Sequence, residues 1–296
     1  MTNNVFDDLM HLGLISDDTI ELFAKETRDC SSLNVWRDRS SGVIFIKDFY
    51  VGDLAYLAES EEEHISNFVK RSSYEDAIDC ERRAREFKHL YFNKDVCELG
   101  FGDGKFMDVA LPFCRSICGV ELNSKELERS KKKGFSVASK LSKFKETNFD
   151  TVFLFHVFEH FPDPMKKLEQ IRKSLKPGGK IVIEVPHAGD LLLLDEIGCN
   201  SFKSHTLWSQ HLILHTRNSL KSMLLEAGFG NIVIRGEQRY PLSNHMKWLS
   251  KGKPGGHTSN LSALDSAPMQ EAYKLSLSAL DANDTLIAVA STDQLF

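Results

Sequence analysis

No stretch of the chain approaches the ~20 consecutive apolar residues that a helix needs to cross a bilayer, so no membrane-spanning helix and no membrane partner is expected. The first residues, MTNNVFDDLMHLGLISDD, lack the basic flank and the long apolar segment of a secretory signal, and a cytoplasmic location is the expectation. Cysteine is scarce and unpatterned. Cys30, Cys80, Cys97, Cys114, Cys118 and Cys199 include no CxxC pair, and Cys114 and Cys118 have no His or Cys cluster near them to complete a zinc site. The thiols read as reduced, structural side chains. A basic excess is missing too. With 37 Lys and Arg against 42 Asp and Glu the net charge is −5, which argues against a nucleic-acid partner. Lysines do cluster at 131–133 and, with Arg172, over 166–176, but both groups fall on amphipathic stretches and read as solvated helix faces. There are no internal repeats and no low-complexity tracts.

What is present is a chain of 296 residues, 42% hydrophobic, long enough for a core of about 200 residues plus additions. Residues 1–93 read as a small N-terminal α+β cap unit. In it DDTIELFAKE is expected as a short amphipathic helix and LNVWRDRSSGVIFIKDFY as two strands around an SSG turn. Leu57, Ile65, Phe68 and Val69, then Ala77, Ala84, Phe87 and Leu90, recur at helical spacing. From residue 94 strands and helices alternate, the pattern of an α/β, doubly wound sheet. The strands are KDVCELGFG, SICGVEL, FSVAS, FDTVFLFHVF, KIVIEVP, NIVIRGEQRY and DTLIAVAST. DPMKKLEQIRKSLKPGG is expected to be a helix stopped by Pro177 and its glycines. Two excursions, 187–215 and 241–280, interrupt the pattern at strand ends, the second reading as a lid insertion.

The stretch CELGFGDGKF places Gly100, Gly102 and Gly104 directly behind an apolar strand. A phosphate-cradling loop needs GxxxxGK followed by Ser or Thr; here Phe106 follows Lys105 and the spacing fails. A dinucleotide fingerprint needs its third glycine at position 105, which is lysine. The remaining reading is an acidic residue followed by GxGxG. Glu121, 21 residues after Gly100 at the end of the next strand, suits the two hydroxyls of a ribose, because a carboxylate accepts from both. Glu98 would repel a pyrophosphate but attract the ammonium group of a methionine moiety.

Four landmarks in order, CELGFGDG, GVEL, FDTVFLFHVFEHFPDP and LKPGGKIVIEVP, resemble the class I S-adenosylmethionine-dependent methyltransferases. AGF with NIVIR, and the closing DTLIAVAST, resemble that group's sixth and seventh strands. The resemblance covers about 200 residues, 94–296, and implies a mostly parallel, Rossmann-like seven-stranded sheet with an antiparallel last strand. It implies S-adenosyl-L-methionine as cofactor, with Glu98, Gly100, Gly102 and Gly104 lining its methionine and ribose, Glu121 and Leu122 beside the ribose, and His156 bordering it. The family's frequent acid after the third strand is absent from SVASKLSKFKETNFD, which leaves adenine to backbone groups or Ser139.

A hydroxyl acceptor needs a base, and eight of the eleven histidines lie between 156 and 257. His160, His187 and His211 are the candidate bases, His160 being equally suited to capping a helix or fixing its loop. His211 and His215 share the spacing of one helical turn, but without HExxH or a local carboxylate no metal is expected. Arg239, Tyr240, Asn244 and His245 are the candidate acceptor-binding residues. The expected function is methyl transfer to a polar small-molecule acceptor, a hydroxyl of a sugar or polysaccharide precursor. The alternatives are a quinone-type or other small aromatic acceptor, a non-catalytic cofactor-binding relative, and, from another class, a nicotinamide-linked oxidoreductase. The sequence leaves the oligomeric state open.

Overall fold

Segments such as VCEL, FDTVFLF and KIVIEVP are apolar at nearly every position, so each needs cover on both faces, and a parallel sheet between helices supplies it. The computed structural model describes residues 4–53, 73–144 and 148–293. The expected helical positions Leu57, Ile65, Phe68 and Val69 lie outside them.

Eleven strands are formed among the described residues: β1 (Ile20–Ala24), β2 (Val35–Asp38), β3 (Ile44–Ile46), β4 (Asp95–Leu99), β5 (Ser116–Val120), β6 (Ser136–Ala138), β7 (Phe149–Phe155), β8 (Leu175–Pro186), β9 (Ile213–Leu214), β10 (Gly230–Glu237) and β11 (Thr285–Ser291). Seven make the main sheet in the order β10-β11-β8-β7-β4-β5-β6. Strands β4 to β8 run parallel, with Cys97 opposite both Cys118 and Val152, and β11 enters antiparallel between β8 and β10. Strand order reverses between β4 and β7. The carboxyl ends on either side of that reversal form the crevice in which open α/β sheets bind ligands.

The other four strands form a second sheet, β1-β2-β3-β9. The expected helix over DDTIELFAKE is instead strand β1, paired antiparallel with β2 so that Leu22 stands opposite Trp36. Strand β9 comes from the excursion 187–215 and pairs with β3, Ile213 opposite Phe45. The units expected on either side of residue 93 therefore share a sheet. They also share a core, since Val5, Leu9, Val43 and Phe45 lie in one buried cluster with Val152, Leu154, Leu212 and Ile213. The helix after β7 ends earlier than its sequence suggests, spanning Pro164–Ser174, and Lys176 to Gly179 already belong to β8.

Helix Ser73–Glu86, α2 after the N-terminal α1 (Val5–His11), is tied to the sheet by charge rather than by apolar area alone. Arg82 and Arg83 reach the fully buried Glu184 of β8 at 2.8 and 2.5 Å, and Asp79 pairs with Arg239 beyond β10. All three arginines and both carboxylates are buried or nearly so, which makes every pair costly to break.

Candidate active site

The glycine loop closes the carboxyl end of β4. Gly100, Gly102 and Gly104 all have positive φ, 70°, 54° and 77°, where a side chain is strained. At Gly100 a Cβ would also stand 2.3 Å from Val157 Cγ2, so the loop from β4 and the turn after β7 touch only because that position is bare. Asp103 accepts from the Lys105 amide at 3.2 Å at the start of the following helix, Lys105–Ala110. Glu121 folds back from the end of β5 across this loop. Its Oε2 accepts from Gly102 N–H at 2.9 Å, and its Oε1 from Leu122 and Asn123 at 2.7 and 3.0 Å. Its carboxylate keeps acceptor capacity beyond these three bonds. Ser139 follows directly on β6.

Glu98 tests the expected cofactor most directly. It is 5% exposed, and its Oε2 is buried with no hydrogen-bond partner. Burial pushes its carboxyl up to about 8, Arg83 pulling it down and Asp103 and Glu121 adding to the rise. A buried carboxyl without a partner beside glycines that leave the backbone bare fits the ammonium of a methionine moiety. The residues present therefore fit S-adenosylmethionine: Glu98 for the ammonium, the glycines for close backbone approach, and Glu121 for the ribose hydroxyls.

The turn after β7 carries the second group of side chains. His156 adopts φ 55°, donates its amide to Glu184 O at 2.8 Å, and sets its ring between two carboxylates. Its Nδ1 is 3.5 Å from Glu159 and its Nε2 3.3 Å from Glu184. Glu159 is fully buried, yet neither of its oxygens has a hydrogen bond. Burial alone would raise its carboxyl; the rings of His156, His160 and His211 outweigh that and hold it down to about 2. His160 anchors its Nδ1 on the Gln210 carbonyl at 2.8 Å and brings Nε2 to 3.9 Å from Glu159. His211 arrives from the segment before β9, which the Leu212 amide fastens to the Glu159 carbonyl at 2.9 Å. Burial drives His211 down to about 3, with His160 adding to the effect.

These groups line a cavity of about 460 Å³ together with Arg28, Asp190, Thr206, Trp208, Arg239, Tyr240, Asn244, His245, Asp284 and others. It shares Arg28, His205, Trp248 and Pro254 with an outer groove of about 680 Å³. Of the three expected bases, His160 and His211 face the cavity together. His187 does not line it: the ring is buried, with Nδ1 on the Asn283 carbonyl at 3.0 Å. His215, spaced as a partner for His211, instead sits on Ser219 at 3.2 Å and stacks on Phe158, because the segment is a strand and not a helix.

The four residues expected to bind the acceptor all border the cavity, and all have partners already, the Tyr240 ring lying 6.3 Å from that of His257. Arg239 is clamped by Asp79; Asn244 accepts from the Gly255 and Gly256 amides; His245 meets the Tyr273 hydroxyl at 2.7 Å. Sequence reasoning missed Glu159, Asp190 and Asp284. Burial, reinforced by Asp284, lifts Asp190 to about 8. The only available signal for Glu159 was its place between two histidines in HVFEH.

Residues 54–233 match the family described as a methyltransferase domain. The chain is 30% identical over 127 residues to phosphoethanolamine N-methyltransferase 2 of Caenorhabditis elegans, covering 40% of this chain and 29% of that protein. It is 33% identical over 91 residues to an uncharacterized protein of Methanocaldococcus jannaschii, covering 30% and 42%. The match thus spans less than half the length of either curated relative. A solved S-adenosylmethionine-dependent methyltransferase from Archaeoglobus fulgidus superposes with a TM-score of 0.51 at 18% identity, over 73% of this chain and 93% of that one, a likeness of fold. With the glycine loop, Glu98 and Glu121 arranged as described, the chain belongs to the class I S-adenosylmethionine-dependent methyltransferases, with S-adenosylmethionine as its cofactor.

Proposed function

We propose that the protein methylates a hydroxyl of a small or medium-sized polar molecule of sugar type, seated in the cavity beside the glycine loop. The observation that carries this reading is the cavity itself, about 460 Å³ and opening into a polar groove, with carboxylates and imidazoles gathered at the turn that touches Gly100. When bound, S-adenosylmethionine would supply an electrophilic methyl group to the acceptor oxygen, the electron pair of the broken methyl–sulfur bond staying on sulfur. The protein's own part is to align the acceptor, exclude water and remove the hydroxyl proton. Glu159, His160 and His211 are the groups placed to do the last. In its simplest form His160 takes the proton at Nε2, its Nδ1 fixed on Gln210, while the Glu159 carboxylate balances the imidazolium.

Trp208 and Trp248 line the cavity and offer flat apolar faces for a sugar ring. The net charge of −5 supports a small-molecule partner over nucleic acid. Among the described residues no helix is long and apolar enough to cross a membrane. The charged side chains in the lining, Arg28, Glu159, Asp190, Arg239 and Asp284, argue against a quinone-type acceptor.

A phospho-amine acceptor is the second reading. The Caenorhabditis relative is named for phosphoethanolamine, and Arg28 with Asp190 and Asp284, all in the lining, would suit a phosphate and an ammonium. Transfer of labelled methyl groups to a panel of sugars and nucleotide sugars, phosphoethanolamine and a catechol decides between them. Sugar labelling that collapses in His160→Ala supports the first reading; labelling of phosphoethanolamine alone overturns it, and cofactor binding without turnover on any acceptor supports a non-catalytic role.

A further inference from the structure

Three side chains that can act as electron-pair donors, Glu159, His160 and His211, converge at the turn after β7. His160 Nδ1 lies 2.8 Å from the Gln210 carbonyl and must be the N–H of that ring, so in the neutral imidazole Nε2 presents a lone pair. Nε2 lies 3.9 Å from Glu159 Oε1, and an ionised carboxylate carries only lone pairs. His211 adds an imidazole whose Nδ1 is buried without a hydrogen-bond partner, its ring centre 5.1 Å from that of His160. Ligand atoms of the three residues all lie within 4.8 Å of one another. Facing lone pairs in a buried place repel, and a cation between them removes the repulsion.

We propose that Glu159, His160 and His211 bind a divalent transition-metal ion whose open coordination position faces the acceptor cavity. Two imidazoles and one carboxylate form a donor set suited to Zn²⁺ and neighbouring ions, and three protein ligands with one open position is the arrangement of a catalytic site. Donors at about 2.1 Å in a tetrahedral shell stand about 3.4 Å apart, so the cluster closes by about an ångström around the ion. Its supports are in place. Gln210 fixes the His160 ring, and His156, wedged between Glu159 and Glu184, orients the carboxylate. The inference rests on the acceptor binding in this cavity, and it replaces His160 as the proton acceptor, because Nε2 is then held on the ion. The ion would lower the pKa of the acceptor hydroxyl, whose proton would leave through the outer groove before water is excluded, and the oxygen's electron pair would form the bond to the methyl carbon as the methyl–sulfur bond breaks.

The test uses Co²⁺, whose visible absorption reports its coordination, on the full chain freed of metal with a chelator. One equivalent should give a tetrahedral-type band that Zn²⁺ displaces. In Glu159→Gln and His211→Ala the Co²⁺ affinity should fall at least about tenfold. A thermal melt of each variant checks folding, and the wild-type stoichiometry and band stand as a measurement that needs no variant. No band in the wild type, or equal binding in wild type and folded variants, overturns the proposal. S-adenosylhomocysteine binding measured on the same samples separates the two ideas. If it persists while Co²⁺ fails, the methyltransferase reading stands and only the metal site falls.

Discussion

At the scale of single residues, Glu98 does two opposed things. Its carboxyl, raised to about 8 from an ordinary 4.5, keeps its proton in the folded chain over a range where the unfolded chain has lost it. Stability therefore falls as pH rises from about 4.5 to about 8, by about 1.4 kcal/mol per pH unit while that difference lasts. Glu98→Gln should flatten this slope in urea unfolding and stabilise the ligand-free protein at pH 8, while weakening cofactor binding. A parallel slope in wild type and variant would show that Glu98 is not the titrating group. Gly100→Ala should do the reverse of a surface change. The left-handed backbone costs about 1–2 kcal/mol, and the Cβ would press Val157 away at 2.3 Å. A lower melting temperature and lost cofactor binding are expected together; a variant that keeps both is inconsistent with the contact. The glycines, Glu98 and Glu121 were legible as candidates because their placement depends on neighbouring strand–loop–helix steps. Glu159 was not. Its meaning arises only when His211, 52 residues further along, is fastened beside it by the Leu212 amide.

At the scale of elements, regular alternation made the main sheet readable, whereas short segments were decided by their partners. DDTIELFAKE has apolar positions compatible with a helix, yet it is a strand because β2 lies beside it and takes up its backbone hydrogen bonds. Arg239 was readable as a polar residue at a strand end, but not its clamp to Asp79, 160 positions away. The same buried charges bind helix Ser73–Glu86 to the sheet. Glu184→Ala leaves Arg82 and Arg83 without their shared carboxylate and His156 without one of its two flanking acids. A loss of about 3–5 kcal/mol is expected in denaturant unfolding. A loss below about 1 kcal/mol would mean that the arginines find water or other acids, and that the helix is held by packing.

At the scale of the whole molecule, the N-terminal sheet is completed by a strand from the middle of the chain, so the expected cap and catalytic units share a sheet and a core. Removing residues 1–72 exposes the edge of β9 and strips Val5, Leu9, Val43 and Phe45 from the shared core. The shortened chain should lose cooperative unfolding or aggregate through that edge; a soluble, cooperatively melting product would show that residues 73–296 stand alone. The large-scale arrangement also sets donor and acceptor sites side by side. The glycine loop touches the turn after β7 at Gly100 and Val157, near the reversal of strand order, and His156 and Glu159 of that turn line the proposed acceptor cavity. The central claim is that the glycine loop, Glu98 and Glu121 hold a methionine-bearing adenosine. Isothermal titration with S-adenosylhomocysteine, then with NAD, on wild type and Glu121→Ala tests it most directly. The account predicts one equivalent of S-adenosylhomocysteine bound by the wild type, much weaker binding by the variant and no heat from NAD. Binding of NAD in its place, or binding unchanged by loss of Glu121, would contradict it.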